Sequence, residues 1–267
     1  MERPRRLWQP MRLCLSSGKG GVGKTSLAVN LAFALAGQGC RVLLVDGDLG
    51  LANVDVLLGL EVRLTLRELL AQDLDPRAAL VYVAPGLAVL PAASGVAELV
   101  TLTPEDQVLL GRLLARLGRD FQVVLVDTAA GLGPAVLWFN TWAHHNLVVV
   151  TPDPTSLTDA YALIKVLSRA FGRKEFHLLV NQVSGEAEGE RTFAALSQVA
   201  SRFLEVKLDY LGSIPADPAV QQGVREQLPF VQAAPRAAAS RAVASVAAQV
   251  LGSIGLWHSS PQEEAGS

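Results

Sequence analysis

A glycine-rich turn between an apolar strand and an apolar helix constrains this chain more than any other feature: Ser17-Gly18-Lys19-Gly20-Gly21-Val22-Gly23-Lys24-Thr25-Ser26. The G-x-x-x-x-G-K-[ST] spacing is that of a phosphate-binding loop. Glycines let successive backbone N–H groups turn toward phosphate, Lys24 reaches the β and γ oxygens, and the Thr25 hydroxyl serves Mg²⁺. Upstream, Met11 to Ser16 reads as a short buried strand; downstream, Ser26 to Ala36 is an apolar helical pattern closed by Gly37 and Gly39. Loop amides and the positive end of the helix dipole then face the same phosphates. Gly20, Gly21, Val22, Gly23, Lys24, Thr25 and Ser26 are therefore the candidate nucleotide-binding residues.

Lys19 is an addition to that kit. Five residues before Lys24, it would project from the far side of the loop, where it could meet a phosphate held by a neighbouring subunit. The residues thus predict a nucleotide switch that dimerises.

The rest of the chain repeats one grammar. Arg41 to Val45 ends at Asp46, Gln122 to Val126 at Asp127, Asn146 to Val150 at Thr151, and His177 to Val180 at Asn181: each apolar run stops at a polar residue. Helical periodicity fills the intervals at about Pro104 to Leu117, Ser156 to Phe171, Arg191 to Phe203 and Arg236 to Ile254. Strands alternating with helices predict an α/β P-loop fold, a doubly wound and mainly parallel sheet with helices on both faces. Ligands collect at the carboxyl ends of such strands, where Asp46, Asp48, Asp127 and Asn181 are expected.

Asp127, after an apolar strand and before Thr128-Ala129-Ala130-Gly131, has the place of a Walker B aspartate. Mg²⁺ on nucleotide phosphates keeps several waters, so Thr25 with Asp46 and Asp127 acting through water suffices as a metal set. Asp48 falls on the loop that would pass over the γ-phosphate and could orient the attacking water. Phosphoryl transfer depends on positioning and charge stabilisation, so one carboxylate (Asp48) and two lysines (Lys19, Lys24) form a sufficient catalytic kit.

Composition narrows the alternatives. The 267 residues fit one large domain, expected over 11–257, preceded by a basic segment 1–10 and followed by a disordered tail 258–267. A net charge of −2 leaves no strong nucleic-acid signal; the nearest basic cluster is Arg3, Arg5, Arg6 and Arg12. Cys14 and Cys40 lack metal-ligand spacing and read as buried, reduced thiols; His144, His145 and His177 read as structural. With neither a signal sequence nor a run of about 18 apolar residues, the expected location is cytoplasmic, with peripheral contact at the inner face of the cell membrane as an addition.

The segment Lys19 to Thr25 resembles the deviant Walker A motif of the MinD/ParA ATPases, in which the first lysine reaches across a nucleotide sandwich dimer. Asp46 to Leu60, Leu90-Pro91-Ala92-Ala93-Ser94-Gly95, Asp127 to Gly131 and Thr151 to Lys165 are similar to the flagellar-number regulator branch, the FlhG/FleN (YlxH) proteins. The resemblance implies ATP/ADP and Mg²⁺ as ligands, Lys19 as the cross-dimer lysine, and Asp48 as the water-positioning residue. It implies adenine contacts at Asn181, Pro215 and Asp217, and a relay at Asp159 near Lys19 and the dimer interface. Its implied partners are a second copy bound in the presence of ATP, and a flagellar GTPase, switch-complex protein or flagellar transcription regulator.

Two departures qualify it. Met1 to Pro10 lacks the Asp-Gln-Ala segment by which branch members stimulate a partner GTPase. Val243, Val246, Val250, Leu251 and Ile254 share a helical face, followed by Leu256 and Trp257, as in the family's membrane helix. Yet no lysine or arginine follows Arg241, so the stripe reads more readily as a last core-packing helix than as a membrane contact. The resulting expectation is a slow ATPase switch in flagellar regulation. The alternatives are a ParA/MinD-type ATPase positioning DNA or division proteins, and a metabolic P-loop enzyme.

Overall fold

Runs such as Val42-Leu43-Leu44-Val45, apolar at every position, need cover on both faces, and the fold supplies it with helices on each side of one sheet. The structure is a computed structural model that describes residues 9–51, 53–62, 64, 68–69, 75–92 and 102–253. Ala52, Ala93, Ser94, Gly95, Ile254, Leu256, Trp257, most of the basic amino-terminal segment and the tail 258–267 lie outside the described residues.

Strand β1 (Met11–Ser17) feeds α1 (Lys24–Gly37), then β2 (Val42–Gly47), α2 (Val54–Leu58), β3 (Val81–Ala84), β4 (Leu87–Leu90) and α3 (Pro104–Gly118). Next come β5 (Val123–Ala130), α4 (Pro134–Trp142), β6 (His145–Val150), α5 (Pro154–Phe171), β7 (Glu175–Val183) and α6 (Glu186–Leu204). The chain continues through β8 (Lys207–Pro215), α7 (Pro218–Glu226), α8 (Phe230–Ala233) and α9 (Ala238–Ser253). The eight strands run in the order β3-β4-β2-β5-β1-β6-β7-β8, and only β3 is antiparallel to its neighbour. β1 lies between β5 and β6, so the chain winds outward in both directions from it, and the loop after β1 sits where a doubly wound sheet binds ligands.

Helix α1 is apolar nearly all round because it is covered twice, by the sheet and by α9. The stripe Val243, Val246, Val250 and Leu251 is buried in that layer, so α9 is a core helix along the described part of its length. On the other face, α3 and α4 cover the β2–β5 half, while α5 and α6 cover β6 to β8. Among the described residues no helix is long and apolar enough to cross a membrane.

The structure adds elements that periodicity missed and moves several boundaries. The β3–β4 hairpin has four residues per strand, too few to show a period, and β8 contains Gly212 and ends at Pro215. Helix α6 starts at Glu186, five residues before the expected Arg191, because the Glu188 carboxylate accepts the Ser184 N–H at 2.6 Å and its hydroxyl at 2.8 Å. Arg12 is an interior strand residue: its guanidinium donates to His144 Nε2 and stacks 4.8 Å from the Trp142 ring. Both cysteines are buried, and burial pushes the Cys14 thiol up.

Candidate active site

The loop after β1 has two tight constraints. Gly21 and Gly23 adopt φ of 77° and 84°, the left-handed region that favours glycine, and Gly23 is the N-cap from which α1 starts. Gly18 is fixed by contact instead of torsion. A Cβ there would collide with the Asp159 carbonyl group and lie 2.6 Å from Ala160 N, so the backbone of α5 abuts the loop. Gly20 has nothing within 4 Å of such a Cβ and is free of this constraint.

The loop's two lysines hold different carboxylates. Lys24 is buried; its Nζ donates to Asp127 Oδ1 at 3.2 Å and to the Thr128 carbonyl. Burial pushes the Asp127 carboxyl up from its ordinary value, while the Lys24 charge and a hydrogen bond from Thr25 pull it back and Asp48 adds to the rise. Lys19 instead donates to Asp153 Oδ2 at 2.9 Å and to Thr155 Oγ1 at 2.5 Å, on the first turn of α5. Hydrogen bonds from Lys19 and Thr155 hold the Asp153 carboxyl well below the usual range.

Asp46 and Asp127 are register partners on β2 and β5. Asp46 is pushed up to about 7, first by burial and then by the Asp127 charge, although three backbone N–H groups oppose the rise. Its Oδ1 accepts the Asp48 N–H at 3.1 Å, and its Oδ2 accepts those of Asn53 and Val54 at 3.0 and 3.1 Å. The carboxylate expected near the metal is thus also the anchor of the loop that carries Asp48. Asp48 Oδ1 accepts the Leu51 N–H at 3.1 Å and tightens the same loop. Gly131, φ 90°, donates its N–H to the Ser17 carbonyl at 2.9 Å and brings the segment after Asp127 against the phosphate loop.

Asn181 lies under the loop, its Nδ2 donating to the Val22 carbonyl at 2.7 Å, and that amide leaves no room for a side chain at Gly23. Asp217 stands at the start of α7. Its Oδ1 accepts the Ala219 N–H at 2.9 Å and its Oδ2 that of Ala239 at 3.1 Å, so the carboxylate caps α7 and holds the start of α9. These bonds lower its pKa. Asp159 meets the loop through its main chain beside Gly18, and the side chains bonded to the Lys19 ammonium are Asp153 and Thr155. Sequence reasoning passed over Asp153 and Thr155, although Asp153-Pro154 is an N-cap followed by proline at the first helical position.

A phosphate ligand and Mg²⁺ fit this cradle. The Ser26 Oγ, at the first turn of α1, is buried with no protein partner, a hydroxyl left for a ligand. Two left-handed glycines, a buried lysine and a buried carboxylate hydrogen-bonded by Thr25 stand beside it.

This fold and site define a P-loop ATPase with a second lysine in its phosphate loop. The chain belongs to the CobQ/CobB/MinD/ParA nucleotide-binding family, whose model matches residues 13–230. It is 44% identical to the antiactivator FleN of Pseudomonas aeruginosa over 89% of this chain and 85% of that protein. It is 32% identical to the flagellum site-determining protein YlxH of Helicobacter pylori over 88% and 80% of the two chains. Among solved structures, MinD from Pyrococcus horikoshii complexed with Mg-ADP superposes with a TM-score of 0.76 at 26% identity, covering 92% of this chain and 98% of that one. MinD in a MinC:MinD complex from Aquifex aeolicus gives 0.75 at 27% identity, covering 96% and 100%. The chain is an ATPase that uses ATP and Mg²⁺.

Proposed function

We propose that this protein is a slow ATPase switch whose ATP-dependent dimer regulates flagellar number or placement by binding partners in flagellar assembly or flagellar gene transcription. The observation that carries the switch is the division of labour between the loop's lysines: Lys24 stays with the Walker B aspartate, while Lys19 is held by the exposed Asp153 and can be released to another anion. The similarity to FleN and YlxH supports the flagellar role.

In this reading the amides of Gly20 to Gly23, with Lys24, Thr25 and Ser26, hold the phosphates. Thr25 binds Mg²⁺, and Asp127 and Asp46 reach it through water; the metal's contribution is to neutralise charge developing on the phosphate oxygens. Asp48 orients the attacking water, and Lys19 crosses to the partner's phosphates. Asn181, Pro215 and Asp217 contact adenine, and Asp159 transmits nucleotide state through its contact with Gly18. The partner is a flagellar GTPase, switch-complex protein or transcription regulator. The location is cytoplasmic, and any peripheral membrane contact would come from residues other than the buried stripe of α9.

Sedimentation in ATP and in ADP tests the switch. Wild type dimerises in ATP, Lys19→Ala and Lys24→Ala remain monomers, and Asp48→Ala accumulates as a dimer with little turnover. A nucleotide-bound Asp48→Ala that stays monomeric refutes the dimer switch. Capture of partners by Asp48→Ala in ATP, with Lys24→Ala as control, tests the flagellar role: enrichment of DNA or division proteins instead would transfer the switch to the ParA/MinD type.

A further inference from the structure

β8 closes one side of the sheet and, among the described residues, pairs with β7 only, so no described strand lies beside its outer edge. Helices α6 and α9 flank that edge from opposite faces of the sheet: α6 packs in the layer with Tyr210, and α9 in the layer with Leu211 and Ile214. Between them runs a trough of about 480 Å³ whose floor is Tyr210 to Ser213 and whose lip is Pro215.

Backbone, shape and charge define what fits there. An unpaired strand edge offers alternating N–H and C=O groups, which an extended segment satisfies by adding a strand. A bulge between Tyr210 and Gly212 interrupts the register with β7, and Gly212, with φ 119° and no side chain, leaves the backbone bare at mid-trough. Ala238, Ala242 and Ser245 of α9 keep the opposite wall low.

The third feature is charge. Glu186 and Glu190 are exposed on α6 and are the charged residues of the lining; no lysine, arginine or histidine lines it among the described residues. Four helical residues advance about 6 Å along the axis. Two strand residues advance about 6.6 Å, so cationic side chains at alternate positions of an added strand would meet both glutamates.

We propose that this trough is a docking groove for an extended basic segment of a partner protein, which adds to the sheet beyond β8 while its lysines or arginines pair with Glu186 and Glu190. The proposal does not rest on the nucleotide reading, since neither glutamate belongs to the phosphate site.

The test uses the full chain and fluorescein-labelled hexapeptides read by anisotropy. One probe is Val-Lys-Val-Lys-Val-Thr, one is Val-Glu-Val-Glu-Val-Thr, and one is Val-Lys-Pro-Lys-Val-Thr, in which proline removes a backbone donor at the same charge. The lysine probe should bind at least tenfold tighter than either control, and it should protect the amides of Leu211 to Ser213 from hydrogen exchange. Glu186→Lys with Glu190→Lys should reverse the charge preference, and Ala242→Phe should block all probes, each with the native circular dichroism spectrum and ATPase turnover retained. Equal binding of the lysine and proline probes, indifference to charge reversal, or no binding of the lysine probe overturns the proposal.

Discussion

The Lys19 ammonium lies 2.9 Å from Asp153 Oδ2 in the same chain, so the residue assigned to a neighbouring subunit's phosphate already has an anion of its own. Any contact it makes in a dimer must replace that pair and the bond to Thr155. Both partners are substantially exposed, so the exchange costs little and can follow nucleotide state.

Asp153→Ala should therefore raise the dimer fraction at limiting ATP several-fold by removing the competing anion. Sedimentation across an ATP titration measures it. A lower dimer fraction would mean that Asp153 holds Lys19 in its working position instead of competing for it.

Gly18 and Gly20 stand two residues apart, yet only one is walled in. Gly18→Ala should destabilise the fold by about 1–3 kcal/mol, as overpacking does, and weaken nucleotide binding by displacing the loop from α5. Gly20→Ala should leave the melting temperature unchanged. Thermal melts beside titrations with a fluorescent ATP analogue separate the two.

The Asp46 carboxyl, held at about 7 by burial and by Asp127, gives the nucleotide-free protein a pH dependence of definite sign. A raised folded-state pKa means that the folded protein binds the proton more tightly than the unfolded chain. This stabilisation is complete below about pH 4, the ordinary carboxylate range, and is lost as pH rises toward 7. Urea midpoints should fall over that window in wild type. Asp46→Asn should flatten that fall while losing one of the two oxygens that accept from the loop at Asp48, Asn53 and Val54.

Asp217 joins α7 to α9, and its replacement by alanine removes together the two carboxylate oxygens that accept backbone N–H groups. The expected loss is about 1–2 kcal/mol for the α7 cap, with more from Ala239. Asp217→Asn, which keeps one acceptor, should recover part of it. Denaturant unfolding with parallel ATP-analogue titration is the check: stability should fall by more than intrinsic nucleotide affinity.

The phosphate loop, the strand ends bearing Asp46, Asp127 and Asn181, and the mainly parallel sheet were legible because each is a local pattern. A glycine spacing, an apolar run and a terminal polar residue are all encoded within about ten neighbouring residues. α4, β8 and the β3–β4 hairpin were not, because what stabilises them is packing against distant segments. Phe139 of α4, for instance, is fully buried in the layer it shares with α3 and the sheet.

The sequence by itself determined that a phosphate cradle forms after β1, because glycine favours the left-handed turns at Gly21 and Gly23 and a following helix aligns its dipole with them. Tertiary structure alone decided the partners of its charges. Lys19 and Asp153 are 134 residues apart, Lys24 and Asp127 are 103 apart, and Asp217 meets Ala239 across the start of two helices. Ion pairs and caps act over a few ångströms, and nothing in a one-dimensional pattern records which distant carboxylate the winding of the sheet will bring within reach.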